Sequence, residues 1–225
     1  MKMNTQLLKT TGRIALLLLL APSLPAAEMS RFDSLPGSKM RLEGTSSIHD
    51  WQVEGTLIGG YVEAGPGFPS EPGQAVQPGK VEAKVEVFIP VRSLASVEKD
   101  GKPYSTKMDD IMYEKLLQPK SPRILYRLSE LVLKEAPGNT NAPYLFESKG
   151  ELIVAGLTNS ISMPISVTPL GNKKLKITGN TAVKMTDFGI QPPAPAIALG
   201  LIKTGNEVKL RFEWMVGQRL AVPPK

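Results

Sequence analysis

The 225-residue chain has no cysteine and a single histidine, His49. Without thiols there is no disulfide framework and no cysteine nucleophile, so stability has to come from a buried core. A typical structural zinc site draws on several Cys and His ligands, which one histidine cannot supply. No segment sets acids at alternate positions around a glycine, as a calcium loop does. Catalytic signatures are missing too: there is no Gly-x-Ser-x-Gly elbow, no Gly-x-x-x-x-Gly-Lys phosphate loop and no Gly-x-Gly-x-x-Gly. Neither a metal nor a cofactor is expected.

A membrane-spanning helix needs roughly 20 apolar residues. The run Ile14 to Ala21 is less than half that; it follows Lys2, Lys9 and Arg13 and is broken by Pro22. This pattern reads as a secretory signal peptide over residues 1–27, cut after Ala27 although Pro25 fits the small-x-small rule poorly. The expectation is an exported, periplasmic chain, with residues 28–225 forming one domain and no membrane span. The chain carries 27 basic and 21 acidic residues, and the signal peptide would remove three of the basic ones and none of the acidic. The remaining excess is small and scattered. Its densest cluster, Asn172 to Lys176, reads as the solvated tip of a hairpin rather than a phosphate groove, so nucleic acid is not an expected partner.

What the chain does have is alternation with a period of two, the mark of strands with one buried face. Val81, Ala83, Val85, Val87, Ile89 and Val91 alternate with Glu82, Lys84, Glu86, Phe88, Pro90 and Arg92. Val208, Leu210, Phe212, Trp214 and Val216 alternate with Lys209, Arg211, Glu213 and Met215. Residues 124–133, 144–156, 161–169 and 175–187 are strand-like, as are "KMRLEG" and "IHDWQVEGTL" near the front, which brings the count to about eight strands. Gly171-Asn172 and Gly205-Asn206 are expected to supply the positive φ of tight turns, making neighbouring strands antiparallel.

Two segments break the alternation. From Gly65 to Gly79, eight of fifteen residues are Gly or Pro, which predicts an irregular, mobile surface loop. From Thr106 to Leu117, Met108, Ile111, Met112 and Leu116 recur at helical spacing, Thr106 and Asp109 fit a capping box, and Pro119 ends the run. This predicts one short helix whose apolar stripe packs over an open end or face of the sheet.

Antiparallel strands of this number form a sandwich or close into a barrel, and closure removes aggregation-prone edges. The expected fold is therefore mainly β, a roughly eight-stranded antiparallel barrel with one short helix. Such a barrel is either filled by side chains or able to hold one ligand. Ser148, Gly150 and Gly156 share the parity of Phe146, Leu152 and Val154, which leaves room inside or permits bends. His49 and Asp50 are adjacent, so on a strand they would point to opposite faces, whereas His49 and Trp51 would share one. His49 is therefore expected to be a structural histidine near the sheet's end rather than a catalytic base.

The ordered series "GTSSIHDW", "VRSLAS", "MDDIMYEKLLQPKSPRILY", "GELIVAGLTNSISMPISV", "TDFGIQPP" and "NEVKLRFEW" resembles the YceI-like family of exported proteins, from about Lys39 to Val216. The Gly/Pro-rich segment at residues 65–79 and the "IHDW" stretch depart from the commoner pattern. The resemblance implies a lipocalin-like barrel holding a polyisoprenoid or similar long-chain lipid, with no established catalytic residues; it leaves a homodimer open. On this basis the lipid is expected among Val85, Val87, Leu152, Val154, Phe212 and Trp214, with His49 and Trp51 nearby and Thr45 and Asp187 as further mouth positions. The alternatives are an enzyme acting on such a lipid near His49 and a structural, stress-associated envelope protein.

Overall fold

The structure, a computed structural model, describes residues 29–140, 142–194 and 202–219. The expected signal peptide lies outside them. The described residues form twelve strands and one α-helix: β1 (Ser30–Ser34), β2 (Lys39–Ser46), β3 (Trp51–Gly55), β4 (Gly59–Ala64), β5 (Gly79–Lys80), β6 (Ala83–Pro90), β7 (Leu94–Val97), α1 (Thr106–Lys115), β8 (Arg123–Glu135), β9 (Tyr144–Val154), β10 (Leu157–Gly171), β11 (Lys174–Lys184) and β12 (Thr204–Gln218).

Eight strands pair in the order β1-β4-β6-β8-β9-β10-β11-β12, and β1 pairs back onto β12 to close an antiparallel barrel. The number matches the expectation, but two members differ. The front strands, β2 and β3, lie outside the closed ring. They continue with β7 as a flap from the amino-terminal part of β12, while β1 and β4 take their places in the barrel. The fork lies in β12: Thr204 to Glu213 runs beside β2, and Val216 to Gln218 runs beside β1. A 15-residue strand can serve both, because its two ends lie about 50 Å apart at the usual rise per residue.

Turn chemistry holds at one of the two expected Gly-Asn sites. Between β10 and β11, Asn172 (φ 49°) and Lys173 (φ 60°) are the positive-φ pair that a two-residue hairpin requires. Gly205-Asn206 is not a turn. It lies inside β12, where the register shifts between Thr204 and Val208. The Asn206 side chain accepts from the Thr186 backbone N–H (3.1 Å) and donates to Thr186 Oγ1 (2.9 Å), which anchors the bulge. Gly156 also leaves its assigned strand: Ala155 and Gly156 form the positive-φ turn between β9 and β10.

The segment expected to be a mobile surface loop is packed. Phe68 is buried and stacks on Phe146 (5.9 Å between ring centres), with Phe32 at 6.3 Å. Tyr144 Oη donates to the Gln74 carbonyl at 2.7 Å, and Gln74 Oε1 accepts from the Ser70 and Glu71 backbone N–H groups. The glycines and prolines let the chain turn without regular structure, while Phe68 plugs one end of the barrel.

Candidate ligand-binding cavity

The other end of the barrel is covered by α1. Ser105 caps this helix, its side chain accepting from Met108 N–H, so the cap lies one residue before the expected Thr106. Asp109 does not complete a capping box: its carboxylate accepts from the Ser96 backbone N–H of β7 at 2.6 Å. Tyr113 Oη donates to the Leu94 carbonyl at 2.6 Å. These bonds pin α1 to the flap. Met108, Ile111, Met112 and Leu116 face the barrel interior, yet no residue of the helix is fully buried. They border empty space rather than a filled core.

That space is a cavity of about 390 Å³. The helical stripe forms one wall, and the other walls include Ile89, Ile124, Leu152, Val154, Val183, Val208 and Leu210 from the strands, with Phe188 and Ile190 beyond β11. Among the described residues the polar lining is Ser46, His49, Tyr104, Ser105, Lys107, Lys115 and Thr204, with no Asp or Glu. Val208 and Leu210 have the same inward parity as Trp214 and Val216. The latter pair is buried, whereas the former stays partly exposed to the cavity.

The expected site residues divide between two spaces. Leu152, Val154, His49 and Trp51 line this cavity. Val85, Val87, Phe212 and Trp214 instead surround a second cavity of about 60 Å³, deeper in the barrel and bounded by Phe68. Neither Thr45 nor Asp187 lines the larger one. Along the strands the change of cavity falls between Ile89 and Val87, Ile124 and Tyr126, and Leu210 and Phe212.

Aromatic rings occupy the room attributed to small inward residues. A Cβ on Gly150 would run into the Arg127 backbone carbonyl and lie 2.6 Å from the Tyr126 ring, and one on Gly179 would lie 2.7 Å from the Phe212 ring. Ser148 is buried and bonded to Tyr126 Oη. Burial pushes the Tyr126 phenol up from its ordinary pKa, and the Ser148 hydrogen bond offsets part of that rise. Gly150 therefore admits the backbone and the Tyr126 ring of β8 rather than a ligand.

His49 is not on a strand: it follows β2 and precedes β3, at the mouth. The strand-face argument accordingly does not apply to it, although His49 and Trp51 do border the same cavity. Its Nδ1 lies 2.8 Å from the Asp50 carbonyl, which can only accept, so Nδ1 carries the proton. Nε2 then accepts from Tyr104 Oη at 3.0 Å. The histidine is tied to a tyrosine and a carbonyl, not to an orienting acid and a nucleophile. Among the described residues, no group of three or more His, Cys, Asp or Glu could hold a metal ion.

Sequence reasoning did not nominate Tyr104, Lys107, Lys115 or Phe188. Val208, Leu210 and Ile89 carried the right parity but were not chosen. The helical stripe was visible in the sequence, and only its exposure to a cavity was not.

No curated protein matches the chain. Solved structures with the same fold include a polyisoprenoid-binding domain from Saccharophagus degradans (10% identity, TM-score 0.61, 85% of this chain and 100% of that one). Burkholderia cenocepacia BcnA is another (15% identity, TM-score 0.53, 79% of this chain and 95% of that one). The resemblance traced from Lys39 is matched from residue 67 onward. The family model described as "YceI-like domain" covers residues 67–216, more than half of the chain, and the chain belongs to the YceI-like family.

Proposed function

We propose that this protein binds a long-chain apolar lipid of the polyisoprenoid or isoprenoid quinone type in the larger cavity. In this reading it acts as a carrier, store or sequestering protein rather than an enzyme. It works in the periplasm, after removal of residues 1–27, with residues 28–225 forming one domain.

The observation that carries this reading is the apolar cavity of about 390 Å³ at the helix end of the barrel. At roughly 30 Å³ for a water-sized group, this is space for on the order of a dozen such groups. Each methylene moved out of water contributes about 0.8 kcal/mol, so even part of a chain would bind firmly. A longer chain would extend out of the mouth or past Tyr126 and Phe212. The polyisoprenoid-binding description of the Saccharophagus degradans domain supports the ligand class. The partners of His49, which include no acid and no nucleophile, favour binding over catalysis.

Gentle purification from the native host, followed by organic extraction and mass spectrometry, tests the proposal. The expected result is one long-chain lipid per protein molecule, absent from an unrelated exported protein handled in parallel. Recovery of the protein free of any such lipid, together with failure to take up an added prenyl chain, overturns it.

A further inference from the structure

We propose that the bound lipid is a single-chain amphiphile with an anionic head group, a carboxylate or a phosphate, held at the cavity mouth by Lys107 and Lys115. This rests on the lipid-binding reading and narrows it, setting an anionic head against the quinone head which that reading also allows.

Three observations carry it. Among the described residues lining the cavity, Lys107 and Lys115 carry the fixed formal charges and no carboxylate opposes them. They stand eight residues apart on α1, just over two turns, so each end of the helix contributes a lysine to the same cavity lining. The acids of α1 are directed elsewhere: Asp109 accepts from the Ser96 backbone, and neither Asp110 nor Glu114 lines the cavity. The Lys115 contact with Glu114 is a 3.7 Å surface pair, which leaves the ammonium available.

Two of the mouth hydroxyls, those of Ser46 and Tyr104, already donate to neighbours within the protein. The Ser46 hydroxyl donates to the His49 carbonyl while accepting from the His49 N–H, and Tyr104 donates its proton to His49 Nε2. Ser105 Oγ caps the helix by accepting from the Met108 N–H. A quinone carbonyl or an alcohol entering beside Ser46 and Tyr104 meets hydroxyls already engaged with their neighbours, and only Ser105 and Thr204 offer it a hydroxyl. A carboxylate or phosphate instead meets two cations on flexible stems, each with three donors. A fully apolar lipid would gain nothing from this arrangement, since an ammonium beside a hydrocarbon chain contributes only desolvation.

The test is a titration of dodecanoate, dodecyl phosphate and dodecanol, three probes with the same tail. It is followed by tryptophan fluorescence in a Trp214→Phe background, so that the signal comes from Trp51, which lines the cavity. The wild type and the Lys107→Gln/Lys115→Gln double variant are compared, with circular dichroism to verify the fold. At low salt the wild type should bind at least one of the two anions roughly three- to tenfold more tightly than the alcohol, as expected for two exposed charge contacts. That preference should disappear in the double variant and shrink in about 1 M salt, where the screening length is about 3 Å. Dodecanol affinity should stay the same in both proteins. If all three probes bind equally, or the double variant keeps the preference, the head-group assignment falls while lipid binding stands. If no probe binds, both fall.

Discussion

Tyr126 Oη lies 2.6 Å from Ser148 Oγ inside the barrel, joining β8 to β9 at the level where the two cavities meet. Removing one partner leaves the other buried without it. Tyr126→Phe should therefore cost about 1–3 kcal/mol, and adding Ser148→Ala should recover part of that loss. Urea denaturation of the two single variants and the double variant measures the coupling.

The same tyrosine makes a pH prediction. Burial raises its pKa above 10.0, so the folded state holds the phenol proton more tightly than the unfolded chain. Its contribution is complete below pH 10 and is lost as pH rises through the higher folded value. Tyr113 and Tyr144 are shifted in the same direction, also by burial. Stability should therefore decline above pH 10 in the wild type, and less steeply in Tyr126→Phe. A decline of equal slope in both would contradict the burial of this phenol.

Phe68→Ala tests the barrel plug. Phe68 packs between Phe32 and Phe146 and is 4% exposed, so truncation should cost about 3–5 kcal/mol. A mobile surface loop would show a change within about 0.5 kcal/mol. Equilibrium unfolding separates the two outcomes.

Val154→Trp and Val62→Trp form a matched pair. Val154 borders the cavity of about 390 Å³, whereas Val62 borders the one of about 60 Å³. The first variant should lose lipid at nearly unchanged stability, because the indole enters open space. The second should be overpacked and lose roughly 1–3 kcal/mol. Equal destabilisation of both would mean that the larger cavity does not accept bulk.

His49→Gln keeps a donor and an acceptor at the mouth while removing the imidazole. Its side chain is exposed, so stability should change by no more than about 0.5 kcal/mol, and dodecanoate binding should persist. Loss of binding with a native circular dichroism spectrum would make His49 a residue that reads the ligand.

The alternation from Val81 to Val91 determined the strand Ala83–Pro90, with Val81 before it and Val91 in the turn after it, and that from Val208 to Val216 determined the inward face of β12, because a strand's side chains change face at every residue whatever surrounds it. The Met108–Leu116 stripe determined the helix in the same local way. Closure of the ring depended on Phe32 of β1 meeting Gln218 of β12, a pairing between chain ends that no local pattern encodes. β1 and β4 are also short, with five and six residues, and β4 opens on two glycines, so their periodicity is weak. Parity tells which face a residue joins, but not how deep it lies or what approaches it. Trp214 and Leu210 therefore looked alike in sequence, yet one packs against the core and the other borders open space. Gly150 looked like an opening until the Tyr126 ring of the adjacent strand was seen to fill it. Local pattern decided which way each side chain points. Only the tertiary structure decided what it points at, because the occupant of that space comes from a distant part of the chain.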